Sequence, residues 1–97
     1  VVQDDEPKRG VGPVVNKGEI GEAILDAIKI DNPGKSVKIQ EHDSYLRIQV
    51  AGECLVKFST VSEMLGTEVT SSELERNMPA FEGFIRVTST QMRWVAE

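Results

Sequence analysis

The sequence predicts an α+β fold: two helix-plus-antiparallel-strand halves packed as one small domain. Two observations carry this expectation. Apolar residues recur at helical spacing in one long segment and alternate with polar ones, at a period of two, in several short segments. The order helix-then-strands also occurs twice, over residues 19–58 and again over 60–95, with a possible short strand ahead of each around Val14 and Val69. No residue-level repeat accompanies this order, so the two halves are alike in organisation only.

Residues 1–10 mix Asp4, Asp5, Glu6, Lys8 and Arg9 with Pro7 and show neither period, which predicts a flexible N-terminal tail ahead of a domain spanning 11–97. Gly10 and Gly12 fit a hinge between the two. Val11-Gly12-Pro13-Val14-Val15 is a β-branched run whose proline suits a strand edge or start and not the middle of a sheet. From Glu19, the residues Ile20, Ala23, Ile24, Ala27 and Ile28 line one stripe of an amphipathic helix. Glu19 and Glu22 near its start and Lys29 near its end complement the helix dipole. Asp31-Asn32-Pro33-Gly34 ends it with a simple turn. Val37 and Ile39 then alternate with Lys38 and Gln40, and Leu46, Ile48 and Val50 with Arg47 and Gln49, across a turn at Glu41-His42-Asp43-Ser44. With Cys54, Val56 and Phe58 on one face of a third strand, an antiparallel meander is expected.

Thr60-Val61-Ser62-Glu63 has capping-box spacing and opens a short helix that Gly66 stops. Ser72-Glu73-Leu74-Glu75 has the same spacing and opens another, which Pro79 should terminate. Phe81, Gly83, Ile85 and Val87 share one face of a strand. Met92 and Trp94 share a face of the last, after a turn at Thr88-Ser89-Thr90.

Composition excludes more chemistry than it suggests. The apolar share is 39% in a chain of 97 residues, that of one modest core. One histidine, His42, and one cysteine, Cys54, cannot supply the usual nitrogen and sulfur sets of a metal site. His42-Asp43-Ser44 contains the residue names of a hydrolase triad, but three consecutive residues in a turn do not converge on one point. Cys54 fits a buried structural thiol. No acidic loop has the calcium-binding pattern, and Gly10-Val11-Gly12 is followed by Pro13 rather than by a helix start, so it is no dinucleotide loop. A net charge of −5 without a basic stripe argues against nucleic acid and anionic membranes. The longest one-signed stretch, Glu63, Glu68, Glu73 and Glu75, fits a solvated face, with a docking patch for a basic surface as the sharper reading. A single cysteine and no long apolar run point to the cytoplasm. Asn77-Met78-Pro79-Ala80-Phe81 stands out: Met78 and Phe81 fit either the core or an exposed apolar knob.

Val11-Gly12-Pro13-Val14-Val15, Ile30-Asp31-Asn32-Pro33-Gly34-Lys35, Tyr45-Leu46-Arg47-Ile48, Met64-Leu65-Gly66, Ser72-Glu73-Leu74-Glu75 and Phe81-Glu82-Gly83-Phe84-Ile85 follow one another in an order and spacing that resembles the effector (coupling, or regulatory) proteins of bacterial multicomponent diiron monooxygenases. The toluene/aromatic monooxygenase branch is the nearer match, and the methane monooxygenase regulatory protein a more distant relative with longer termini. The resemblance spans residues 11–95.

The resemblance implies an α+β protein without cofactor or catalysis of its own, a monomer when free. It would bind the α subunit of a separate diiron hydroxylase, tune its active site and its access for substrate and O₂, and couple NADH oxidation to hydroxylation. The scarcity of histidine then has a reason, since the iron ligands belong to the partner. Carried onto this chain, the contact segments are residues 11–16 (Val11, Gly12, Pro13, Val14, Val15 and Asn16) and residues 77–81 (Asn77, Met78, Pro79, Ala80 and Phe81), with Gly83 permitting close backbone approach. Pro79 departs from the small polar residue of the more distant relatives. The alternatives from other classes are a small ligand-sensing regulatory domain, which repeated helix and strand units also build, and more remotely an acid-catalysed hydrolase.

Overall fold

The computed structural model describes residues 9–96. Along the chain these form β1 (Gly10–Asn16), α1 (Glu19–Asp31), β2 (Val37–Glu41), β3 (Tyr45–Ala51), β4 (Glu53–Lys57), α2 (Phe58–Leu65), α3 (Ser71–Arg76), β5 (Ala80–Glu82), β6 (Phe84–Val87) and β7 (Gln91–Val95). The expected tail lies outside the described residues except for Arg9 and Gly10. Neither Gly10 nor Gly12 forms a hinge, since both belong to β1.

The strands make two antiparallel sheets, ordered β2-β3-β1-β5 and β4-β7-β6. The order exposes the logic of the two halves. β1-α1-β2-β3 and β4-α2-β6-β7 are both β-α-β-β units in which the last strand pairs with the other two, and β5 is an extra strand that the second unit lends to the first sheet. The second unit therefore starts at β4. Residues around Val69 form no strand, although Val69 is buried. The meander is also corrected: β2 and β3 pair as expected, but at Ala51-Gly52 the chain leaves that sheet, and β4 pairs with β7 in the other.

Helix α1 follows its periodicity, with Ala23, Ile24, Leu25, Ala27 and Ile28 buried. They join Val11 and Val15 of β1, Leu46, Ile48 and Val50 of β3, Cys54 and Val56 of β4 and Met92 and Trp94 of β7 in one core. β3, β4 and β7 turn alternate residues inward, as the period of two requires, whereas β1 buries Val11, Gly12 and Pro13 in succession. β2 does neither: as an edge strand it leaves Ile39 exposed and buries only part of Val37.

Three local expectations shift. Phe58 opens α2 instead of closing β4. Thr60 is not its N-cap, because Lys57 is, and the Thr60 hydroxyl instead donates to Asp31 Oδ1 at 2.9 Å. The capping box of α3 is Thr70 with Glu73, two residues earlier than expected: Glu73 N donates to Thr70 Oγ1 at 3.2 Å and Thr70 N to Glu73 Oε1 at 3.0 Å. Residues 81–87 are not one strand, because the chain bends at Gly83 and passes from one sheet to the other.

Candidate functional surface

The two segments singled out by the sequence meet. β5 pairs with β1 in the register Gly12↔Glu82, Pro13↔Phe81 and Val14↔Ala80, and Asn16 N donates to the Asn77 carbonyl at 2.9 Å. Residues 10–16 and 77–82 thus form one seam, with β5 as the outer strand of its sheet.

Pro13 sits inside the sheet, contrary to its expected edge position. Pairing with β3 covers Gly10 and Val11, lapses at Gly12 and Pro13, and resumes at Val14, so the missing proline N–H falls in a gap of the ladder. Gly12 creates that gap. Its φ is 148°, and a Cβ there would lie 2.5 Å from the Ile48 carbonyl oxygen. β1 lies between β3 and β5, with Gly12 opposite Glu82, and side chains of β3 reach across it to β5. Arg47 Nε donates to Glu82 Oε1 at 3.1 Å, Arg47 Nη2 donates to Glu82 Oε2, and Gln49 Nε2 donates to Glu82 Oε1 at 2.7 Å. The guanidinium hydrogen bond holds the Glu82 carboxyl below the usual carboxylate range. Neither Arg47 nor Glu82 stands out in the sequence, because nothing local marks a pair 35 residues apart.

The site residues divide by exposure. Asn16, Pro79, Ala80 and Phe81 are exposed; Val14, Asn77 and Gly83 are half-buried. Val11, Gly12, Pro13, Val15 and Met78 are buried, so they support the surface from beneath. Met78 belongs to the core at 9% exposure, while Phe81 stands out at 44%. The pair is therefore split between the core and the knob. Gly83 packs tightly within the chain itself: with φ at 99°, a Cβ would lie 2.8 Å from Val11 Cγ1 and 3.0 Å from the Val95 carbonyl oxygen.

Elsewhere chemistry is sparse. His42 lies in an exposed turn with its ring stacked on Tyr45 at 4.4 Å. Cys54 is buried, and desolvation pushes its thiol up to about 12. Among the described residues no group of three or more histidine, cysteine, aspartate or glutamate side chains is arranged to hold a metal ion. A depression of about 500 Å³ lined by Arg9, Lys35 and Glu53 opens to solvent, as does one of about 370 Å³ between α1 and α2 lined by Glu22, Asp26 and Met64. In the acidic run, Glu73 is turned back into its cap, and Glu63, Glu68 and Glu75 are exposed. No described helix is long and apolar enough to cross a membrane.

Two β-α-β-β units, an apolar core without catalytic groups and a strand seam with an exposed phenylalanine define a small binding module. The chain belongs to the MmoB/DmpM family, whose model matches residues 9–95. It is similar to the effector subunit of the alkene monooxygenase system of Xanthobacter autotrophicus (strain ATCC BAA-1158 / Py2), with 33% identity over 91 residues that cover 94% of this chain and 90% of the relative. The fold is shared with a chain in the structure of a phenol hydroxylase–regulatory protein complex, at a TM-score of 0.79 and 19% identity over 92% of this chain and all of that one (100%). It is shared also with the soluble methane monooxygenase regulatory protein B, at 0.65 and 18% over 100% of this chain and 70% of that one.

Proposed function

We propose that this chain is the non-catalytic effector subunit of a bacterial multicomponent monooxygenase. It docks through the β1/β5 seam on the α subunit of a diiron hydroxylase and raises the yield of product per NADH oxidised. Membership of the MmoB/DmpM family carries this reading, and the alkene monooxygenase effector supports it at 33% identity. The seam supports the site, because β5 places Ala80 and Phe81, next to the exposed Pro79, on an outer strand over a buried floor of Val11, Pro13, Val15 and Met78. We assign the hydroxylase to the toluene/aromatic branch and the complex to the cytoplasm.

An effector changes its partner only by binding one conformation better than another, since equal affinity for both shifts nothing. Couplings of this kind are on the order of 1–3 kcal/mol, or about 5- to 150-fold in affinity. A preformed seam suits such discrimination because little ordering is left to be done on binding. The test is a titration of the chain into purified hydroxylase and reductase, with toluene and then a short alkene as substrate, recording product and NADH together. Saturable gains in product rate and in product per NADH are expected, and the chain alone should turn over neither substrate. Product and coupling that stay constant across the titration would refute the reading. A response to the alkene alone would overturn the aromatic assignment.

A further inference from the structure

Each sheet has two edges, and the four edge strands are treated differently. Exposed edges invite pairing with other chains, and proteins ordinarily blunt them with charge or cover them. β2 is blunted: it carries Lys38 and Glu41, the latter ion-paired to Lys17 at 2.9 Å. β4 is covered. Asn32 Nδ2 donates to the Leu55 carbonyl at 2.8 Å, Leu55 N donates to Asn32 Oδ1 at 2.9 Å and Lys57 N to Asp31 Oδ2 at 2.8 Å, so the end of α1 satisfies that strand's outer backbone groups.

β5 and β6 are less protected, and they are consecutive: each carries one charged residue, Glu82 turned back onto β3 and Arg86 donating to the Ile85 carbonyl of its own strand at 3.2 Å, and among the described residues neither is covered by a helix end. The bend at Gly83 makes one run of chain the outer edge of both sheets. That run holds Phe81, Phe84 and Val87, at 44%, 47% and 49% exposure, three of the six large apolar side chains exposed among the described residues. In a chain that is 28% charged, only Glu82 and Arg86 are charged between Asn77 and Gln91, and Glu82 is held by Arg47 and Gln49. Exposed aromatics in a charge-depleted strip mark the core of a protein interface.

We propose that the docking surface for the hydroxylase does not end at Gly83 but continues along β6, with Phe84 and Val87 as further anchors. This rests on the effector reading above. The register shows how the partner must approach. Phe84 pairs with Val95 on the outer face of its sheet, whereas Val87 pairs with the buried Met92 on the inner face, so a partner covering both meets the edge end-on and must offer an apolar cleft rather than a flat face. A second copy of this chain fits the strip poorly. Antiparallel self-pairing of the four-residue β6 brings Arg86 close to its own mate between two molecules of net charge −5.

The test measures binding of Phe84→Glu, Val87→Glu and Phe81→Glu to purified hydroxylase, with Ile30→Glu as control because Ile30 is exposed at 53% but lies away from the strip, on α1. Phe84→Glu and Val87→Glu should each raise Kd about tenfold or more, as anchor residues do, with circular dichroism unchanged and Ile30→Glu binding normally. Hydrogen exchange of the unmodified protein gives an independent readout, since hydroxylase should protect the amides of residues 84–87. Normal binding by both variants together with unprotected amides would overturn the extension. In that case weak binding by Phe81→Glu leaves the seam standing, and normal binding by all three removes the seam as well. Concentration-dependent dimerisation that Phe84→Glu abolishes would assign the edge to a second copy and overturn the proposal.

Discussion

Gly12→Ala should remove a large part of the stability of the domain, although it adds a single methyl group. The methyl carbon would lie 2.5 Å from the Ile48 carbonyl oxygen and 3.5 Å from Cys54 Sγ, and the residue would have to hold a φ of 148° that only glycine adopts freely. Strained backbone of that kind costs about 1–3 kcal/mol, and overfilling a packed site costs about as much again. Alanine returns less than about 1 kcal/mol by stiffening the unfolded chain. A net loss on the order of 2–5 kcal/mol follows, against a total of about 5–15 kcal/mol for a domain of this size. At roughly 4–8 °C per kcal/mol, the melting temperature should fall by at least about 8 °C. Trp94 is the only tryptophan and is fully buried, so its emission and far-ultraviolet circular dichroism follow the same unfolding transition. Gly10→Ala is the milder comparison: its Cβ would lie 3.1 Å from Gln49 Cβ, with no carbonyl clash and no positive φ, so its loss should be clearly smaller than that of Gly12→Ala. A melting temperature for Gly12→Ala within about 3 °C of the parent, on the same scale, would refute the close approach of the Ile48 carbonyl to Gly12.

Asn32→Ala should cost about 2–3 kcal/mol by urea titration, because it strips the Leu55 N–H and carbonyl of their partners at the end of α1; a loss below about 0.5 kcal/mol would show that water replaces the amide. Met78→Glu should lose the folded circular dichroism signal, since it places a charge in the core, whereas Phe81→Glu should keep it and lose activation of the hydroxylase; the opposite result would exchange their roles. Cys54 should resist thiol reagents until denaturant is added. Its thiol is pushed from 9.0 to about 12 by burial, so above pH 9 the unfolded state ionises while the folded state keeps its proton. Stability should therefore fall as pH rises from 9 toward 12, by up to about 1.4 kcal/mol per pH unit, and Cys54→Ala should flatten that fall; an unchanged slope would assign it to other groups.

How much of this was legible in the sequence depended on how far apart the interacting residues lie. Helix α1 was readable because its stripe from Ile20 to Ile28 and its stop at Asn32 are local features, and β3 because Leu46, Ile48 and Val50 alternate. The turn at Asn32 was legible only as a turn, since its amide acts on Leu55, 23 residues away. The same distance hid the sheet assignment. Alternation says that Cys54 and Val56 face inward, but not that β4 pairs with β7 in preference to β3. Capping boxes were misplaced because serine, threonine and glutamate are dense between Ser59 and Glu75, so several frames satisfy the spacing and tertiary contacts select one; Thr60 is claimed by Asp31. The two proposed contact segments were singled out from the sequence, and their meeting was not legible there. Proline in β1 argued for an edge, and only the glycine beside it, where the ladder lapses, allows Pro13 inside.

The same glycine joins stability to function. β5 has only three residues and one neighbouring strand, so its own pairing fixes it weakly. Glu82 supplies the missing constraint by reaching over Gly12 to Arg47 and Gln49, and Gly83 seats the bend against Val11. As a half-exposed ion pair, Arg47–Glu82 adds little to global stability. Its effect is local: it neutralises the one acid of β5 and limits how far Phe81 moves. An effector that selects among hydroxylase conformations needs that restriction more than it needs affinity. A contact strip free to follow its partner would bind every conformation equally and favour none. The arrangement implies that the Arg47–Glu82 pair governs the maximal coupling reached at saturation more than the concentration at which saturation occurs. Arg47→Met should therefore lower product per NADH at saturating effector while leaving the melting temperature nearly unchanged, and the reciprocal Arg47→Glu/Glu82→Arg exchange should restore it. If full coupling persists with Arg47→Met and only the half-saturating concentration changes, the pair serves affinity, and the selection of a hydroxylase conformation lies elsewhere on the seam.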